Sequence, residues 1–299
     1  MVRVISVVLF LVLAPLVGGL LDGLDRKISA RMQGRIGPPL LQPFYDVAKL
    51  WNKQMIVVNK AQTFLLLSYC ATQIFTGCMF YAGVDVMMCF FVLSTGATFL
   101  VFAGFITDSP YSSLGASREL IQMMSYEPAI LLTCVGFYLA TGTFNVDEII
   151  ETPFSPILLL PGFFFTYAFS LTIKMRKSPF DISTSHHPHQ ELVKGLTTEM
   201  GAENLAVYTI TEWYENVFLL SMAALFIINR NPWSYLAAAV VVLALCFVET
   251  LIDNVSARVK WKTMLGSCWV VTLLAGGLNL LILMPVSYTH LRAHETGAY

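Results

Sequence analysis

Apolar runs that approach the width of a bilayer core recur along the chain at 4–21, 61–83, 86–107, 128–143, 157–173, 217–229, 234–252 and 263–284. A spanning helix takes about 20 residues, so the shorter runs must draw on flanking positions. The pattern predicts an all-α, polytopic integral membrane protein, with about eight transmembrane helices in a single domain over 1–284. Four polar segments separate pairs of spans, at 22–60, 108–127, 174–216 and 253–262. In the first, Phe44, Val47, Ala48, Leu50 and Trp51 interleave with Asp46, Lys49 and Lys53 at helical spacing. That spacing predicts a short amphipathic helix in the membrane interface. Gly34, Gly37, Pro38, Pro39 and Pro43 give the approach to it a rigid, turn-rich path.

Composition agrees: 56% of residues are hydrophobic, 12% are charged, and mean hydropathy is +0.68, which excludes an ordinary soluble domain. Charge adds orientation. With alternating spans, 15 of the 18 Lys and Arg residues fall on the side that carries the four polar segments. By the positive-inside rule that side is cytoplasmic, the N-terminus is outside and the number of spans is even. The opposite segment 144–156 holds Asp147, Glu148 and Glu151 and no base. The first run is followed by more apolar and then basic sequence, so it is expected to be a retained helix and not a cleaved leader. The six cysteines all fall in predicted spans without a C-x-x-C pair, so they are expected to pack and to ligate no cluster. The composition changes abruptly at "PVSYTHLRAHET" (285–296). Residues 285–299 are expected to be sequencing-adaptor read-through and not native protein.

The remaining question is why so oily a chain carries acids beside its spans. A carboxylate at a helix centre costs on the order of 2.5–3.5 kcal/mol, so such groups face a bundle interior or a wet cavity. Glu127 is read as opening the fourth span. Glu199 and Glu203, Glu212 and Glu215, and Glu249 and Asp253 are spaced to share a helix face. Stacked acids in a low dielectric can hold and pass a proton, which describes a relay. The plainer alternative is that they pair with Lys174, Arg176, Lys177, Lys194 and Arg118 at the membrane surface. His186, His187 and His189 leave three readings open: proton handling or contact with a partner, plain loop polarity, and a metal site that the interrupting Pro188 disfavours.

Three segments then point to a family. "ARMQGRIGPPLLQPFYDVAKL" resembles the first cytoplasmic loop of the membrane subunit shared by respiratory complex I and the energy-converting group 4 [NiFe] hydrogenases. "SRELIQMMSYEP" resembles that family's Arg-x-x-x-Gln-Met-x-Ser-Tyr-Glu segment, with the arginine at Arg118 and the glutamate at Glu127. "SPFDISTSHHPHQELVKGLTTEM" resembles its Pro-Phe-Asp and Glu-Leu-Val-x-Gly segment, with acids at Asp181, Glu191 and Glu199. The quinone-reducing branch carries Glu-Thr-Asn-Arg before Pro-Phe-Asp. Here Lys174-Met175-Arg176-Lys177 stands in its place, and Lys262 stands where that branch has an aspartate in the last cytoplasmic loop. Both departures point away from a quinone site, and the "SHHPHQE" run resembles the Ech-type and formate-hydrogenlyase-type hydrogenase subunits.

The resemblance implies a membrane-anchoring and ion-coupling subunit of a [NiFe] hydrogenase complex in a prokaryotic inner membrane. Such a complex links ferredoxin- or formate-driven proton reduction to proton or sodium translocation. The implied relay is Glu127, Glu191, Glu199, Glu212 and Asp181. The implied docking surface for soluble partners is Arg31, Arg35, Gly37, Pro38, Arg118 and the three histidines. No catalytic residue, metal or cofactor is expected in this chain. The [NiFe] centre and iron–sulfur clusters would sit in partners: hydrogenase large and small subunits, an iron–sulfur protein and an antiporter-like membrane subunit. Lipid is the other expected partner, and nucleic acid is not. Two alternatives stand beside this reading, a quinone-chamber subunit of complex I and a stand-alone secondary transporter, although no internal repeat supports the latter.

Overall fold

The computed structural model describes residues 2–54, 59–184 and 193–284. Among them there is no β-strand, and ten α-helices follow in order. These are α1 (Val2–Met32), α2 (Gln42–Trp51), α3 (Lys60–Tyr81), α4 (Val86–Phe105), α5 (Pro110–Thr141), α6 (Val146–Ile150), α7 (Pro161–Lys174), α8 (Ala202–Leu225), α9 (Trp233–Val255) and α10 (Trp261–Val271). The last continues through a π-helical turn at Thr272–Gly276 to Met284. An all-α polytopic membrane architecture is therefore what the apolar pattern builds.

Six of these helices are long and apolar enough to cross a bilayer: α1, α3, α4, α5, α9 and α10 with its extension. The other two predicted spans become α7 and α8. At 14 residues α7 is about 21 Å long, short of a hydrocarbon core of about 30 Å. α8 has 24 residues but carries Glu203, Glu212 and Glu215.

Two predicted polar segments are not loops. Much of 108–127 is the first half of α5, which runs unbroken for 32 residues through Pro128. Glu127 thus lies within a helix and does not open one. Likewise 202–216 is already α8, and Glu199 lies in a turn ahead of it, so Glu199 and Glu203 do not share a helix face. Both boundaries were obscured by acids that the bundle pairs with bases distant in sequence, Glu119 on α5 with Arg176 and Glu215 on α8 with Lys174.

The centre of the bundle is α4 and α5, whose spans are 50% and 56% buried, against 22% for α1 and for α9. Leu93, Ala97, Tyr126, Ile130, Phe137, Tyr167, Phe218 and Phe226 fill it. Val4, Val8 and Val12 on α1 and Leu236, Val240 and Leu243 on α9 are exposed, as lipid-facing helices require. α2 packs across α1 and α8: the Phe44 ring meets Trp213 in a tilted contact at 5.2 Å between centroids, and Arg26 reaches Asp46 at 2.8 Å. Gly18 allows α1 to lie directly on the Trp213 backbone, where a Cβ would meet Trp213 Cα at 2.9 Å. At the opposite end of α1, Arg3 pairs with Asp147 at 2.7 Å.

Candidate functional site

The end of α7 and the turn after it carry three bases, Lys174, Arg176 and Lys177, and each is answered by an acid from another helix. Lys174 is buried, with its Nζ 2.6 Å from Glu215 Oε1 and donating to Tyr126 OH at 3.0 Å. Tyr69 OH donates to the other Glu215 oxygen at 2.6 Å. Lys177 pairs with Asp25, which also accepts from Thr250 Oγ1 at 2.7 Å.

Arg176 is the hub. Its Nη2 and Nε donate to the two Glu119 oxygens at 2.8 and 3.2 Å, and its Nη1 donates to Tyr208 OH at 2.8 Å and Glu212 Oε1 at 2.5 Å. Tyr208 OH in turn donates to Glu212 at 2.6 Å. The planar guanidinium is suited to such a fork, since it presents several donors in fixed directions. The backbone of Arg176 has φ +52, a left-handed conformation that glycine usually takes just after a helix. It costs a non-glycine residue about 1–2 kcal/mol. The bidentate contact to Glu119 more than offsets that cost, because the buried Glu119 and Tyr208 and the half-buried Glu212 depend on the guanidinium.

This network opens onto a cavity of ≈ 710 Å³ between α1, α2, α8 and α9, lined by Asp25, Lys174, Arg176, Lys177, Glu212, Glu215, Glu249 and Asp253 among others. Glu249 accepts from Thr172 Oγ1 at 3.2 Å, and Asp253 accepts from the Ser178 amide at 2.8 Å. A second cavity of ≈ 90 Å³ holds Glu127, Tyr126 and, again, Lys174. Lys174 therefore separates two pockets, one of them lined by Glu127.

The expected relay residues are distributed unevenly around this site. Glu212 sits at its heart. Glu127 faces the smaller cavity across from Lys174. Asp181 is buried and accepts from Arg258 Nε at 3.0 Å. Glu199 is half-buried, and no hydrogen bond or ion pair joins it to the network among the described residues. Glu191 and the three histidines lie outside the described residues. Of the docking candidates, Arg31 and Arg35 are exposed, Gly37 turns the chain at φ +78, Pro38 follows half-buried, and Arg118 is half-buried on α5.

Sequence reading passed over Glu119, Tyr69 and Tyr208, and it placed Lys174 and Arg176 in a polar segment at the membrane surface and not in a buried network. A signal was present: Tyr208, Glu212, Glu215, Leu219 and Met222 recur at intervals of three and four, so the acids share the face that carries core residues.

The sequence matches the NADH dehydrogenase family across residues 4–284. The chain belongs to that family. Within it, similar proteins include Hydrogenase-4 component C of Escherichia coli (strain K12), 27% identical over 86% of this chain and 85% of the relative. NADH-ubiquinone oxidoreductase chain 1 of Mycosarcoma maydis is 27% identical over 88% of each chain. A subunit of NADH-quinone oxidoreductase from Geobacillus sp. (strain WCH70) is 29% identical over 73% of this chain and 69% of the relative. The fold is also that of a chain from the membrane-bound sulfane sulfur reductase, an archaeal respiratory membrane complex, at a TM-score of 0.85 and 20% identity, covering 95% of this chain and 100% of that one. Family members thus sit in hydrogenase and quinone-reducing assemblies alike, and this chain is a membrane subunit of that respiratory type.

Proposed function

We propose that this chain anchors a [NiFe]-hydrogenase module to a prokaryotic inner membrane, with its N-terminus outside, and couples that module's redox reaction to proton or sodium movement. The observation that carries the reading is Lys174. Where the quinone-reducing branch has a glutamate, this chain has a buried lysine paired with Glu215 at the cavity wall. The cavity therefore presents compensated charges, a better medium for shifting protons than for seating a neutral quinone headgroup. Redox chemistry belongs to the partner subunits, which would hold the [NiFe] centre and the iron–sulfur clusters. This chain contributes Glu212 and Glu215 as proton-holding groups, with Arg176 and Lys174 setting which of them is charged. Glu127, Asp181, Glu191 and Glu199 extend the path. A charge change at the docked module alters the Arg176 contacts, and that is a coupling free energy between two sites.

Isolation of the chain with its native partners tests this. A large subunit with four metal-binding cysteines and hydrogen evolution from reduced ferredoxin or formate are expected. Quinone reduction without such a subunit would assign the chain to the complex I branch. Movement of substrate by the chain alone would make it a transporter.

Docking is proposed at Arg31, Arg35 and the Gly37-Pro38 turn, with Arg118 and His186, His187 and His189. Arg35 is exposed on a stiff loop, so it offers donors at little ordering cost. Arg35→Glu is expected to release the soluble module into the high-speed supernatant at physiological salt. A module that stays membrane-bound and active excludes this loop from the docking surface. Residues 285–299 follow the end of the family match at residue 284. Truncation after Met284 is expected to leave insertion and assembly unchanged on native gels, and loss of the complex would show that the tail is native.

A further inference from the structure

α3 carries an unusual interior face. Gln62, Leu66, Tyr69, Gln73, Thr76 and Phe80 recur at intervals of four and three, and all are buried. Tyr69 is used by the site already described, but the two glutamines are not. Gln62 is 2% exposed and Gln73 1% exposed. Neither Gln73 Nε2 nor Gln73 Oε1 has a hydrogen-bond partner among the described residues, and the same holds for Gln62 Nε2. These three atoms belong to Gln62 and Gln73 on one face of α3, so the shortfall falls in one seam. A glutamine amide presents two donor hydrogens and an oxygen that accepts twice, and buried amides in native interiors are paired with protein or with water. The described residues do not supply the partner here. Opposite Gln73, α4 presents Gly96, where a Cβ would meet Gln73 Nε2 at 3.0 Å, so the amide rests on bare helical backbone whose own groups are engaged.

Position makes this more than a local shortfall. Gln62 stands seven residues before Tyr69 and Gln73 one turn after it, about 10 and 6 Å along the axis. Tyr69 OH already donates to Glu215 at 2.6 Å. We propose that the α3 seam is a hydrated path: ordered water bonds to Gln62 and Gln73 and extends the Glu215–Tyr69 hydrogen-bond line in both directions along the helix. Gln62 lies toward the basic end of the bundle, near Lys60, and Gln73 lies toward the opposite end. The seam thus gives Glu215 a polar connection that does not pass through the large cavity. Apolar side chains would fill the same seam without any requirement for solvent, so the glutamines mark water and not mere packing.

The first test is independent of the coupling role. A cryo-EM map of the assembled complex, at a resolution that shows interior waters elsewhere in the protein, is expected to show water within hydrogen-bond distance of Gln73 Nε2 or Oε1 and of Gln62 Nε2. A seam without water in such a map overturns the proposal. The second test rests on the proposed ion-coupling function. In Gln73→Leu and Gln62→Leu, ions moved per electron are expected to fall to about half or less, while hydrogen evolution with an artificial donor persists. Gln73→Asn, which keeps donor and acceptor, is expected to restore most of the ratio. An unchanged ratio in both leucine variants would remove the path even if water were seen. If the leucine variants fail to assemble, the wild-type map decides the question. Translocation that is absent in the wild type would refute the coupling reading and leave the water to be judged from the map.

Discussion

Replacing Arg176 with Gln is expected to abolish accumulation of the folded chain. Glu119 and Arg176 are 2% and 5% exposed, and the guanidinium is the partner of both Glu119 oxygens and of Glu212. Breaking a buried pair by removing one member costs about 3–5 kcal/mol, because the other charge stays uncompensated. Total stability is commonly only about 5–15 kcal/mol. Arg176→Lys is expected to recover little, since an ammonium cannot make the two-pronged contact and reach Tyr208 as well. Adding Glu119→Gln to Arg176→Gln removes the orphaned charge and is expected to restore a large part of the yield. Protein recovered from membranes and the thermal midpoint in detergent are the measurements. A single variant as stable as the parent would show that these groups are solvated and not mutually dependent.

The second large effect is on coupling. Glu212→Gln keeps the shape of the side chain and an acceptor for Tyr208 and Arg176, but it removes the titratable proton. Electron transfer with an artificial donor is expected to stay within about twofold and ion translocation to fall about tenfold or more, because a coupling free energy lost between sites leaves each half-reaction intact. Glu148→Gln, on α6 at the end of the bundle away from the cavity, is the control and is expected to change neither. Glu199→Gln discriminates between routes. It lies in the turn before α8 with no hydrogen bond or ion pair to the network among the described residues, so its effect is expected to be smaller than that of Glu212→Gln. Translocation abolished in Glu199→Gln and intact in Glu212→Gln would move the path to the 185–199 segment. Equal loss of electron transfer and translocation in Glu212→Gln would make the residue structural.

The order of residues was enough to place the chain in a membrane, to locate most helices and to tie its loops to a family. Those properties follow from composition and from periodicity within single segments, which short-range physics controls. Spacing alone also showed acids grouped on α8 and α9. What those acids do depends on how the helices assemble. Arg176 meets Glu119 across 57 residues and Tyr69 meets Glu215 across 146. The positions of α5 and α8 in the bundle create both pairs. Sequence placed Lys174 and Arg176 at a membrane surface because isolated bases belong there. The fold buries them because their partners arrive from other helices, and compensation across such separations leaves no local mark in the chain.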